Sequence, residues 1–159
     1  MIIAGVAGFQ LRERKMPEAS KPSPVAKPIP SITPDMVEFF EGARCGQLMV
    51  QKCEGCGELR FPPHETCTKC LGTRAGWVAV SGRGEVYSFN IMHQVYHPGF
   101  ATEVPYAVVV VKLDEGVKFV SNLVGVKPAD IKCGMPVEVT FEKLNDQVML
   151  PKFRPRAGS

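Results

Sequence analysis

The chain has 159 residues, 45% of them apolar and 22% charged, with a formal net charge of +3. That size suits one domain with a small appendage, and no apolar run approaches the ~20 residues that a membrane span needs. The surplus charge lies in residues 1–33, which hold five basic and two acidic side chains and leave fourteen of each in the remainder. A body without net positive charge argues against nucleic acid as the main partner.

Ile2 to Phe9 is apolar but has neither the basic flank nor the small-residue cleavage site of a secretory signal, so a cytoplasmic protein is expected. Residues 17–34 contain six prolines among Ser, Lys and Ala, the composition of an extended linker. Residues 1–33 are therefore expected to form a disordered or extended arm. A helical segment over 34–47 follows. Thr33 suits the N-cap, Pro34 the first turn, and Asp35 and Glu38 the positive helix end. Met36, Phe39, Phe40 and Ala43 recur at helical spacing before Gly46. Phe39 and Phe40 read either as core or as an anchor for a partner groove.

Leu48–Lys52 reads as a short strand that feeds a metal-binding segment over 48–73. Cys53 and Cys56, then Cys67 and Cys70, form two C-x2-C pairs separated by ten residues. Two residues between thiols let one tight turn aim both sulfurs at the same ion. Gly57 and Gly72 follow the pairs where such turns need backbone freedom. Four sulfurs make a closed tetrahedral site without an open position for water or substrate. Zinc is the default ion, and iron also suits four thiolates. Phe61, before Pro62 and Pro63, is expected to cover the metal, and His64 to lie on the surface. Cys45 and Cys133 read as small buried or half-buried thiols rather than reactive ones.

Residues 74–155 read as β structure, with 156–159 as a tail. Trp77–Val80 leads into Gly82-Arg83-Gly84, then Glu85–Val95, Tyr106–Leu113, Val117–Val124, Val137–Leu144 and a last edge strand at Val148–Phe153. One helical turn at Pro128–Ile131 precedes the penultimate strand. That order suggests a five- to six-stranded Greek-key barrel of the OB type, which also removes the edges of such valine-rich strands. The fold class is mainly β.

The catalytic inventory is thin. There is no phosphate-cradling glycine loop, serine elbow or paired-carboxylate motif. The segment from His93 to Pro105 still stands out, because it carries His93, Tyr96, His97 and Phe100 between two strong strands. It reads either as a binding edge or as a flap over the barrel mouth.

The stretches FFEGARCGQLMVQKCEGCGELRFPPHETCTKC, GWVAVSGRGEVYSFNIMH, PYAVVVVKLDEGVKFVSNLVG, CGMPVEVTFE and LPKFRP, from Met36 to Pro155, resemble one family. It comprises small proteins with a rubredoxin-like zinc ribbon followed by an OB domain, catalogued as domain of unknown function number thirty-five. The resemblance implies a non-catalytic, zinc-binding accessory subunit of a thiolase-fold enzyme that makes or cleaves carbon–carbon bonds in acyl-CoA substrates. The partner, a thiolase-like subunit in a hetero-oligomer, would supply the nucleophilic cysteine and the histidines. This chain would pack on it, could cover the CoA tunnel, and would keep Cys53, Cys56, Cys67 and Cys70 as structural zinc ligands. Phe39, Phe40, Phe61, His93, Tyr96, His97 and Phe100 are the candidates for a surface facing CoA or the partner. A thiolase-like retro-aldolase is an alternative partner. Two further readings compete: a single-stranded nucleic-acid binder and an iron-carrying electron-transfer protein.

Overall fold

A computed structural model describes residues 25–156; the greater part of the expected arm, residues 1–24, lies outside the described residues. Residues 25–33 run without regular structure to a 3-10 turn at Pro34–Met36. Thr33 sits at the start of that turn, but its side chain makes no capping hydrogen bond. Helix α1, Val37–Arg44, follows and buries Phe39, Phe40 and Ala43. Gly46 then adopts a φ of 74°, where a side chain would be strained, and the chain turns into the first strand.

Strands β1 (Leu48–Cys53), β2 (Leu59–Arg60) and β3 (Ala75–Val80) form a three-stranded antiparallel sheet in the order β2-β1-β3. Trp77–Val80 leads into the barrel but does not pair with its strands. Instead β3 pairs with β1 along its whole length, from Leu48↔Val80 to Cys53↔Ala75. The reason is geometric: the second knuckle delivers the chain alongside β1, whose other edge has only the two-residue β2.

The barrel comprises β4 (Arg83–Met92), β5 (Tyr106–Leu113), β6 (Lys118–Leu123), β7 (Pro136–Lys143) and β8 (Met149–Pro155), closed in the order β4-β5-β6-β8-β7. The last strand is therefore no edge. It lies antiparallel to β7 and meets β6 in parallel at Leu123↔Phe153, and this crossing closes the OB barrel. The 3-10 turn at Pro128–Asp130 falls between the third and fourth barrel strands, as expected.

The Gly-Arg-Gly motif belongs to this closure. Gly82 has a φ of +69°, and a Cβ on Gly84 would lie 2.3 Å from the Lys112 carbonyl oxygen. Strand β4 thus reaches both β5 and β7 only because Gly84 lacks a side chain.

Val86, Val109, Val111, Phe119, Val137 and Phe153 fill the barrel. A chain of rings joins it to the rest of the molecule. Phe61, between the two cysteine pairs, stacks on Phe119 of β6 with centroids 4.3 Å apart and lies 4.9 Å from Phe39 of α1. Among the described residues no helix is long and apolar enough to cross a membrane.

Candidate metal centre

Cys53 ends β1, Cys56 lies in the turn after it, and Cys67 and Cys70 lie in the loop that leads to β3. The two turns share one hydrogen-bond pattern. Gly57 N–H donates to Cys53 O at 2.9 Å and Leu71 N–H to Cys67 O at 2.9 Å. Cys53 N–H donates to Glu58 O, and Cys67 N–H to Gly72 O. The residue after the second cysteine takes a positive φ in each, 73° at Gly57 and 61° at Leu71. In the second knuckle the left-handed position therefore falls on Leu71 and not on Gly72. A Cβ at Gly72 would meet Cys70 Sγ at 3.4 Å, an ordinary van der Waals distance, so nothing in the structure demands glycine there.

The four Sγ atoms lie within 4.8 Å of one another, with Cys53–Cys70 and Cys56–Cys67 both at 3.6 Å. A tetrahedral ion with zinc–sulfur bonds of about 2.3 Å separates its sulfurs by about 3.8 Å, so the donor set fits zinc. Cys53 and Cys67 are 1% and 0% exposed, whereas Cys56 and Cys70 are exposed.

The N–H groups of Cys70 and Lys69 hold the Cys67 thiol down at about 6. Those of Cys56 and Gly55 lower Cys53 in the same way, against burial. Cys56 also receives an N–H, from Glu58, but desolvation and the neighbouring thiols push it up to about 12. The backbone is thus arranged for thiolates, and a dication supplies the charge that lets all four coexist. The site can hold the two knuckles together. With four protein ligands it keeps no position for substrate.

Arg60 supports the segment between the knuckles. Its Nε donates to Gln51 Oε1 at 2.6 Å and its Nη2 to the His64 carbonyl at 2.9 Å. Sequence reading missed this network, because nothing in a lone Leu-Arg-Phe announces a buried guanidinium.

The other candidates are not gathered at one place. Phe39 and Phe40 are 4% and 5% exposed, so they are core residues and offer no partner-facing surface. Phe61 is half-buried, and its ring contacts are with Phe39 and Phe119; it ties the ribbon to the barrel. His93 and Tyr96 are exposed. His97 Nδ1 accepts from Gly99 N–H at 3.0 Å and caps the turn Pro98–Phe100. Phe100 lines a cavity of about 300 Å³ with Tyr106, Leu123 and Leu150. Lys27 crosses its rim, paired to Glu103 and, at 3.3 Å, to Glu142. The linker composition around Lys27 carried no sign of this contact.

Comparison with known proteins accounts for both halves. Residues 40–75 match the model of the ChsH2 rubredoxin-like zinc ribbon domain, and residues 77–142 that of the ChsH2 C-terminal OB-fold domain. The chain is 36% identical over 147 residues to a probable enoyl-CoA hydratase alpha subunit of Thermomonospora curvata, a match covering 92% of this chain and 46% of that protein. It thus spans about half the length of that relative. It is 32% identical over 131 residues to the benzoylsuccinyl-CoA thiolase subunit BbsA of Thauera aromatica, covering 79% of this chain and 87% of that subunit. A solved structure described as Ltp2-ChsH2(DUF35) aldolase superposes with a TM-score of 0.72 and 39% identity, over 80% of this chain and 98% of that one. Likeness of this extent, through the four-cysteine ribbon and the closed barrel together, means that the chain belongs to the ChsH2 (DUF35) family of zinc-ribbon and OB-fold proteins.

Proposed function

We propose that this chain is a zinc-binding accessory subunit, without turnover of its own, of a thiolase-fold enzyme that makes or cleaves carbon–carbon bonds in acyl-CoA substrates by thiolysis or Claisen condensation. One observation carries the reading: four of the six cysteines converge on each other, while the two left over, Cys45 and Cys133, lie outside that cluster and are exposed rather than buried. Among the described residues the four thiols form the one cluster of potential metal ligands, and it is closed. His97 is engaged in a turn cap and His93 stands apart on an exposed loop. Chemistry on a thioester would therefore come from a second protein.

The names of the relatives point to such assemblies, one a thiolase subunit and one an aldolase of two named components. A retro-aldolase partner is the second reading, favoured by the 39% identity to the aldolase component. The coenzyme A thioester would be the substrate of the complex, which implies the cytoplasm. The exposed His93 and Tyr96, together with Phe100 at the cavity, are the groups left to face the partner or the CoA arm.

The test is reconstitution. The full chain is purified with its co-isolated thiolase-fold subunit, the two are separated, and thiolysis, condensation and retro-aldol cleavage are assayed with each alone and with both. No turnover by this chain and restored turnover on mixing is the expected result. A thiolase-fold subunit equally active without this chain would overturn the reading, and one equivalent of iron in place of zinc would revive the electron-carrier alternative. Oligonucleotide binding at physiological salt would redirect attention to the OB barrel as a nucleic-acid site.

A further inference from the structure

Arg60 is the only polar or charged side chain buried among the described residues, at 9% exposed. No carboxylate of those residues lies within ion-pairing distance of it. Its Nε and Nη2 donate to neutral oxygens, those of the Gln51 amide and the His64 carbonyl, and its Nη1 is buried with no partner. A buried cation is costly unless an opposite charge stands near. A neutral donor could make the same two bonds without that cost, so hydrogen bonding alone does not account for a guanidinium here.

The fold sets Arg60 beside the cysteines. Strand β2 pairs with β1 at Gln51↔Arg60 and Lys52↔Leu59, so Arg60 shares a face of the sheet with Gln51 and with Cys53. About 7 Å of strand separates those two residues of β1. On the other side, His64 shortly precedes Cys67 in the chain, and its N–H also donates to Gln51 Oε1, at 3.2 Å. One guanidinium therefore ties together the leads into both cysteine pairs.

The missing counter-charge belongs to the metal centre. Four thiolates around a dication carry a net negative charge. Lys69 and Arg74 flank the second knuckle, but they are 65% and 85% exposed and already face Glu58 and Glu54, so carboxylates and solvent screen them. We infer that Arg60 is the positioning residue and internal counter-cation of the metal centre. It holds the leads of the two knuckles together, and its charge offsets the anionic centre that forms when four thiolates close on zinc. The inference does not depend on a partner subunit.

The test compares the full wild-type chain with Arg60→Lys, Arg60→Gln and Arg60→Met by two readouts. Zinc affinity is measured by competition with a chromophoric chelator. The same proteins are then loaded with iron and the potential of the one-electron couple is measured, because it responds to nearby charge even where the ribbon keeps its shape. Arg60→Met should bind zinc about tenfold to a hundredfold more weakly. Arg60→Lys, which keeps the charge but not the planar fork, should recover part of that loss. The iron potential should fall in both neutral variants, because the reduced site is the more negative and has lost a cation, and should stay near the wild-type value in Arg60→Lys. Zinc affinity in Arg60→Met within twofold of wild type would overturn the inference. So would neutral variants that bind zinc weakly with an unmoved iron potential, which would leave Arg60 a hydrogen-bond donor and nothing more. A potential that fell as far in Arg60→Lys as in the neutral variants would do the same. If Arg60→Met takes up no metal, Arg60→Gln against Arg60→Lys decides the question by the same two measurements.

Discussion

Four thiols within 4.8 Å of one another cannot all ionise without a cation, since neighbouring thiolates repel. The structure divides the burden unequally. Backbone N–H groups hold Cys67 at about 6, so that it is ionised at pH 7. Cys56, despite an N–H from Glu58, is pushed up to about 12 by desolvation and its neighbours, and keeps its proton. Zinc binding at pH 7 must therefore displace protons, including that of Cys56, and affinity must rise as pH rises because protons compete with the metal. Titrating zinc into metal-free protein in a weakly buffered solution should acidify it, with an end point at one equivalent. Zinc uptake with no release of protons would sink the four-thiolate assignment. The ligands themselves were legible in the sequence, because C-x2-C is a local geometric requirement. Which residue of each turn bears the left-handed conformation was not: Gly72 drew the eye, whereas aligning Leu71 with Gly57 reveals the strained position.

At the level of elements, the alternation and turn residues of β4 to β8 announced the barrel, and the helical turn before β7 fixed its type. Two contacts were not legible for one shared reason, that pairing partners are not written locally. Strand β3 has the composition of a barrel strand, yet its hydrogen bonds go to β1. The segment around Lys27 has linker composition, yet a cation with two carboxylates in reach docks it on the barrel. Glu142 is the hub there: it accepts from Lys152 and from Lys27, and in that order, with burial opposing, they hold its carboxyl below the usual range. A carboxylate lowered in the folded state adds stability above its unfolded value of ~4.3, and that stability vanishes as pH falls through the lowered folded value. Lys27 is raised, by Glu103 first, so its share persists until pH climbs through the lysine range. Glu142→Gln should therefore be less stable than wild type on a plateau from about pH 5 to pH 9, and the two should converge in acid. Urea unfolding across pH measures the gap. Because Glu142 is 36% exposed, 1 M salt should narrow it. A gap that persisted in acid, once Glu142 is protonated in the folded state too, would mean packing, not charge, connects the three residues.

The molecule as a whole is one core with a metal-dependent annex. Leu48 and Val50 of the ribbon, Phe39 and Phe40 of α1, and Phe119 and Phe153 of the barrel belong to the same buried cluster. The ribbon alone has little else to bury: its knuckles contribute only Cys53 and Cys67 to the interior. Order in the knuckles must then come from the metal, while the closed barrel holds its own valine-rich interior. The two are coupled through Phe61, which lies between the knuckles and covers Phe119. If a strong chelator melts the knuckles, the face of Phe119 under Phe61 is uncovered while Phe39 and Phe153 stay against it, and the barrel loses about 2 kcal/mol, less than a fully buried phenylalanine because Phe61 is half-buried. For a barrel of this size that is on the order of 10 °C in melting temperature. The expected result is that chelation erases the amide signals of the ribbon, keeps those of Val109 and Val111 protected, and lowers the remaining transition by roughly that amount. Phe61→Ala with zinc bound should reproduce much of the shift without losing the ribbon. A barrel that unfolded together with the knuckles would show that it cannot stand without them, and an unshifted transition would show that the aromatic joint carries no energy between the two halves.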